Sequence, residues 1–249
     1  MIKGFCYASG DPHLKTFDGA RYDVMGTCQY YFVTSKAVSL THSAFNVKLT
    51  NFKHNPSSRV SYVERAIFEF SSRDHNTQYL IELWDYKGAV RTVVEINGEV
   101  LVSSEVQNGD MKLVNNGKVA FVETWFGVKV EFKPYYLGVR IPTTYESKVN
   151  GLCGNYDGDA SNDYRLINGD IMESDKEGIC KHIDAWVVPK AVPGCETGCP
   201  DFNCSPSTKV QNACRILKEA FQTCHQYVDP EPYYQDCLGR LSLVIISHP

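Results

Sequence analysis

Between residues 28 and 141 apolar and polar residues partly alternate in short runs, the pattern of strands with one buried face. The runs are QYYFVT (29–34), FNVKLT (45–50), RAIFEF (65–70), QYLIELW (78–84) and VRTVVEI (90–96), rich in β-branched and aromatic side chains. Turn chemistry separates them. Asn97-Gly98 splits VVEI from EVLV, which predicts a two-residue hairpin. Asn108-Gly109-Asp110 and Asn116-Gly117 set off MKLV and KVAFVETW, and VKVEFK (128–133) and LGVRIP (137–142) flank Pro134-Tyr135-Tyr136. So many short strands in one run predict a mainly β domain, a sandwich or a barrel.

The pattern changes after Pro142. Residues 150–170 (NGLCGNYDGDASNDYRLINGD) are dense in Gly, Asn and Asp and predict an ordered loop. Residues 188–208 hold Pro, Gly, Ser and three cysteines and read as a linker. NACRILKEAFQTCHQYV (212–228) then has helical spacing: Ile216, Leu217, Ala220 and Phe221 form an apolar face, with Cys214 and Cys224 placed to staple it. The expected organisation is a β domain over 1–187, a linker over 188–208 and a small helical module over 209–249.

Charge and hydropathy exclude two classes of partner. A net charge of −4 gives no basic surface for nucleic acid. No apolar run approaches the roughly 20 residues needed to span a bilayer, the longest being Leu241 to Ile246, so membrane insertion is not expected.

The ten cysteines point to an oxidising compartment. Cys6, Cys28 and Cys153 precede residue 180, and Cys180, Cys195, Cys199, Cys204, Cys214, Cys224 and Cys237 crowd the rest. Zinc would ask for paired Cys-x2-Cys knuckles, and none occurs. Disulfides and secretion are the expected reading. The N-terminus MIKGFCYASGDP lacks the apolar core of a signal peptide, so the sequence reads as an excised fragment of a secreted protein or as an incomplete gene model of one.

Two stretches carry candidate chemistry. In Asn155-Tyr156-Asp157-Gly158-Asp159-Ala160-Ser161-Asn162-Asp163, oxygen side chains recur at a density that suits a hard cation such as calcium. The loop is not an EF-hand, because the required Gly and Glu positions fall on Ala160 and Leu166. An Asx-rich turn held by its own side chains is the alternative. The second stretch is Gly10-Asp11-Pro12-His13. It reads as a metal site, a tight turn or a bond built to break: an Asp carboxyl can attack its own carbonyl at an acid-labile Asp-Pro linkage, and His13 can supply the proton to the leaving nitrogen. The remaining histidines are scattered, and no nucleophile-elbow or phosphate-binding glycine motif occurs. Asn203-Cys204-Ser205 is a formal glycosylation sequon, with which a disulfide at Cys204 would compete.

Together these stretches resemble a known family. Cys6-x3-Gly10-Asp11-Pro12-His13-x2-Thr16-Phe17-Asp18-Gly19, with Tyr22, Gly26 and Cys28, is similar to the opening of a von Willebrand factor type D domain. Gly151-Leu152-Cys153-Gly154-Asn155-Tyr156 with Asn162-Asp163 resembles its closing signature. Cys214-Arg215-Ile216-Leu217, Phe221-x2-Cys224 and Val228-Asp229-Pro230-x-Pro232-Tyr233 resemble the eight-cysteine module that follows such domains. The resemblance implies a β-sandwich with a calcium loop folded against it. It implies calcium ligands at Asp11, Asn155, Asp157, Asn162 and Asp163, with the Ala160 carbonyl as a further donor, and leaves Asp159 and Ser161 solvated. Asp11 would clamp the chain's opening to its closing loop.

The resemblance also pairs Cys6 with Cys153 and Cys28 with Cys195, and leaves Cys180, Cys199, Cys204, Cys214, Cys224 and Cys237 unassigned. Many members carry Cys-Gly-Leu-Cys at the closing signature, linked to disulfide-driven multimerisation. Here the first position is Asn150, so thiol-exchange chemistry is not expected. The cysteines of the eight-cysteine module also stop at Cys237, so that module looks incomplete.

The resemblance therefore implies a secreted, non-enzymatic, calcium-stabilised structural or adhesion module. It would associate with other extracellular proteins or modules of its own chain in a mucin-like or matrix glycoprotein. The alternatives are a module binding a growth factor or glycoprotein, and self-processing at Asp11-Pro12. A few distant relatives have luciferase activity, for which no cofactor pocket is visible in the sequence.

Overall fold

A computed structural model of the chain describes residues 2–40, 42–56, 58, 60–198, 208–220, 222–231, 233–235 and 237–238. The chain divides into two compact units, Met1–Cys199 and Pro200–Pro249. The first is mainly β. Its strands are β1 (Ile2–Ser9), β2 (His13–Lys15), β3 (Arg21–Asp23), β4 (Gln29–Ser35), β5 (Phe45–Phe52), β6 (Tyr62–Ser71), β7 (Gln78–Tyr86) and β8 (Ala89–Ile96). They continue as β9 (Glu99–Leu101), β10 (Glu105–Gln107), β11 (Met111–Asn115), β12 (Ala120–Thr124), β13 (Lys129–Lys133) and β14 (Tyr136–Pro142). Two antiparallel sheets result, ordered β10-β11-β12-β13-β14-β1-β2-β3 and β4-β5-β6-β7-β8-β9.

The period-two pattern explains the second sheet. Val47, Leu49, Ala66, Phe68, Ile81, Leu83 and Val94 point into a shared core, and the residues between them stay half-exposed. On that outer face Lys48 pairs with Glu69 at 2.6 Å, and Arg65 with Glu82. The Asn97-Gly98 hairpin turns with φ of 50° and 87°, as a turn matching the sheet twist demands.

Several elements lie outside the sequence-based pattern, β1 and one helix the longest of them. β1 runs through the middle of the first sheet, between β14 and β2. Its Cys6 and Ala8 face the core, while Phe5 and Tyr7 on the other face lie under Arg140 and beside Tyr136. With both faces apolar or aromatic, no alternation shows. α1 (Lys176–Ala185) begins at Asp175, whose carboxylate accepts from the Gly178 amide at 2.7 Å. Its buried face is Gly178, His182 and Ile183, so it carries no apolar stripe.

The second unit corrects the expected single helix over 212–228. Its described helices are α2 (Thr208–Cys214) and α3 (Ile216–Glu219), followed by a 3-10 turn at Gln222–Cys224. Val210 and Cys214 are buried, whereas Ile216 on the expected apolar face is 57% exposed. The expected staple is also revised: Cys214 bonds Cys237, and Cys224 is free and exposed. Cys199, Asn203 and Cys204 lie outside the described residues.

Candidate functional site

The chain's opening and its closing loop meet at the edge of the first unit. The Cys6–Cys153 disulfide joins β1 to the loop, and the Phe17 amide donates to the Cys153 carbonyl at 3.1 Å. Leu152 and Cys153 also donate to the carbonyls of Tyr31 and Phe32, holding the loop against β4. Gly154, at φ 77°, brings the backbone so close to Asp163 that a Cβ there would lie 1.8 Å from its Oδ1.

Asp163 is the centre of the arrangement. It is fully buried, accepts from the Thr16 hydroxyl at 2.6 Å through Oδ2, and accepts from the Asn155 amide at 3.3 Å through Oδ1. Burial pushes its pKa up to about 7, against the Thr16 hydrogen bond and with the help of the Asp18 and Asp157 charges. Asp157 moves the other way. Burial opposes its ionisation, but the Asn162 side chain, the Asp159 amide, the Asn155 side chain and the Arg165 charge hold it below the usual range.

The Asn155 side-chain nitrogen donates to Asp157 at 2.7 Å and to Asn162 at 2.8 Å, and Asn162 donates to Asp157 at 2.9 Å. The structure thus brings Asn155, Asp157, Asn162 and Asp163 together. Asp159 accepts from the Ser161 amide at 2.9 Å and caps the short 3-10 turn Ala160–Asn162.

Asp11 is buried in the turn between β1 and β2, and its Oδ1 lies 3.2 Å from His13 Nε2. From one turn further on, beside Thr16, Asp18 also reaches the loop. Its carboxylate accepts from the amides of Asp157 and Gly158, both at 3.0 Å. The signal for it was present in Thr16-Phe17-Asp18-Gly19, where the Gly19 amide donates to the Thr16 hydroxyl at 3.1 Å and folds the turn.

The fit of this group to a cation rests on the side chain of Asn155. Asn155 Oδ1 is buried and has no hydrogen-bond partner, while the nitrogen of the same amide is fully engaged. Every side chain around it offers oxygen, the donor set of calcium rather than zinc. Among the described residues, no three His, Cys, Asp or Glu side chains are grouped as a metal site. The amides, not the carboxylates alone, would therefore complete the set.

Comparison with known proteins decides the family. A model of the von Willebrand factor type D domain matches residues 6–170, and a model of the C8 domain matches residues 213–244. The chain belongs to the von Willebrand factor type D domain family. It is 31% identical to the human IgGFc-binding protein over 96% of this chain, 28% to human zonadhesin over 94%, and 26% to human mucin-2 over 94%. It spans only 4% of the first, 8% of the second and 4% of the third. Type D domains of this kind are extracellular, and neither matched family is an enzyme family.

Three further features of this type D domain bear on its chemistry. Cys28 bonds Cys195, and Cys180 is also in a disulfide. Asn150 is exposed at the closing signature, its backbone exchanging hydrogen bonds with Thr34 at 2.8 and 2.9 Å. In the Asp-Pro turn His13 lies between two carboxylates, 2.7 Å from Asp23 through Nδ1 and 3.2 Å from Asp11 through Nε2. Burial pulls its pKa down, but the hydrogen bonds and charges of Asp11 and Asp23 outweigh that and raise it to about 10.

Behind the loop His182 is fully buried, with Nδ1 donating to the Arg165 carbonyl at 2.9 Å and Nε2 2.9 Å from the Tyr22 hydroxyl. Burial lowers its pKa from 6.5 to about 4, against the hydrogen bonds to Arg165 and Leu152. The unfolded chain takes up a proton here before the folded one does. Stability from this group is therefore complete above pH 6.5 and lost as pH falls through about 4. Without a cation, Asp163 acts in the opposite sense, because its raised pKa favours the folded form as pH falls from about 7. A His182→Gln variant isolates the histidine: its unfolding free energy, measured by denaturant titration, should fall less steeply than the parent's between pH 6.5 and 4. Parallel curves would show that His182 is not a titrating burden.

Proposed function

We propose that the chain is a calcium-stabilised extracellular structural module, through which a larger glycoprotein associates with other extracellular proteins or with modules of its own chain. Asp11, Asn155, Asp157, Asn162 and Asp163, with Asp18 joining from the neighbouring turn, would hold the cation, and its charge would offset the buried Asp163 carboxylate. The single observation that carries this reading is the buried Asn155 Oδ1 without a partner, next to a buried, hydrogen-bonded carboxylate. The cation and the Cys6–Cys153 disulfide would then tie the same two segments, leaving a rigid sandwich as a mechanical unit. Relatives among mucin-2, zonadhesin and the IgGFc-binding protein support a structural and adhesive role over catalysis.

Thermal unfolding in calcium and in chelator tests it. A site held at about 1,000 times its dissociation constant adds about 4 kcal/mol, or roughly 8–16 °C for a unit of this size. Chelation should remove that increment from the parent and change an Asp157→Ala variant little. Equal melting of the parent with and without calcium would reduce the loop to an Asx-rich turn.

The His13 position favours a second, compatible activity: scission of the Asp11–Pro12 bond. A histidine held protonated by Asp11 and Asp23 can give its proton to the Pro12 nitrogen as the Asp11 carboxylate attacks its own carbonyl carbon. The C–N bond breaks, a cyclic anhydride forms, and water hydrolyses it to regenerate Asp11. Intact mass under reducing conditions after incubation at pH 5.5 should show a fragment beginning at Pro12, absent in His13→Ala. Without reduction the Cys6–Cys153 bond would keep residues 1–11 attached. An undivided chain would remove this activity and leave the structural role intact.

A further inference from the structure

A cleft of about 550 Å³ lies where the end of β4 meets the segments around Lys148 and Arg165, with Trp186 in its wall. Three of its lining residues, Lys36, Lys148 and Arg165, are cationic, and none is acidic, in a chain whose net charge is −4. Several cations elsewhere on the first unit are matched: Lys48, Arg65, Lys129 and Arg140 each pair with a glutamate. Among the described residues, no carboxylate lies within 4.0 Å of the charged groups of the three cleft cations.

Lys148 Nζ donates to a neutral acceptor, the Thr144 carbonyl, at 2.7 Å. Arg165 has its Nε buried with no hydrogen-bond partner, an unusual state for a guanidinium nitrogen. Its charge is felt by Asp157, but Asp157 does not line the cleft.

The rest of the wall narrows the ligand. Thr34 and Asn150 are uncharged and hydrogen-bonding. Trp186 is held in place by its indole N–H, which donates to the Arg165 carbonyl at 2.9 Å. A guanidinium and two ammonium groups recognise the planar or tetrahedral oxygens of an acid. Amide and hydroxyl groups beside them suit a body covered in hydroxyls, and the cleft is larger than a single anion needs. We propose that this cleft binds an acidic saccharide, one whose sulfate or carboxylate sits among Lys36, Lys148 and Arg165.

Isothermal titration of the whole chain with a heparin-derived disaccharide, sialyllactose, neutral lactose and sodium sulfate tests this, and the first two separate sulfate from carboxylate. One or both acidic saccharides should bind, lactose should not, and the indole N–H resonance of Trp186 should shift on binding. The exposed double change Lys36→Ala/Lys148→Ala should leave melting unaltered and weaken binding at least about ten-fold, as should Arg165→Gln. Four results would overturn the proposal: no binding of either acidic saccharide up to about 1 mM, equal binding of lactose, unchanged binding by the double variant, or sulfate binding as tightly as the saccharides, which would mean an adventitious ion only.

Discussion

Replacing Cys6 and Cys153 together by alanine should lower the stability of the first unit by about 5 kcal/mol on the chain-entropy model. The reason is the length of the loop this bond closes: the two cysteines are 147 residues apart, and the unfolded chain without the bond regains the freedom of that whole span. Both residues are fully buried, so alanine also leaves small cavities and adds to the loss. Guanidinium unfolding of the oxidised parent and the double variant measures it directly. A difference under about 1 kcal/mol would mean that the meeting of β1 and the closing loop is held by contacts other than the bond.

The Gly154→Ala variant should cost roughly 3–5 kcal/mol and abolish any response to calcium. An L-residue at the φ of 77° found there costs about 1–2 kcal/mol by itself. The larger part is displacement: the new Cβ would stand 1.8 Å from Asp163 Oδ1 and 2.4 Å from its Cγ, so the carboxylate must leave. It would then give up the bonds from Thr16 and from the Asn155 amide, at about 1–3 kcal/mol for each buried group left unsatisfied. Gly158→Ala is the control. Its φ is 91° with nothing within 4 Å, so it should show the backbone strain alone. Equal losses in the two variants would show that Asp163 can move without consequence.

Strands β5 to β8 of the second sheet were legible because each buries one face, and the alternation from Phe45 to Ile96 survives in the sequence. β1 was not, since Phe5 and Tyr7 cover its outer face with aromatic surface where polar residues would have marked a strand. α1 was hidden for the opposite reason, its buried side being a glycine, a histidine and one isoleucine. At the site, local composition was enough to point to the loop at 155–163, but not to its partner. Asp11 and Asp18 both occupy tight turns in the opening of the chain. Only the pairing of β1 with β2 and of β2 with β3, and the hydrogen bond from Phe17 to Cys153, bring the Asp18 turn to the loop. In the second unit the periodicity of 212–228 suggested one helix, but the chain forms two short ones with Cys214 bonded onward to Cys237.

The most direct test of the metal clamp compares Asp18→Ala and Asp11→Ala with the parent in calcium titrations followed by calorimetry. The parent should bind calcium, and Asp11→Ala and Asp18→Ala should each lose most of that affinity. Unchanged binding in both variants would contradict the account and leave the opening of the chain without a metal clamp.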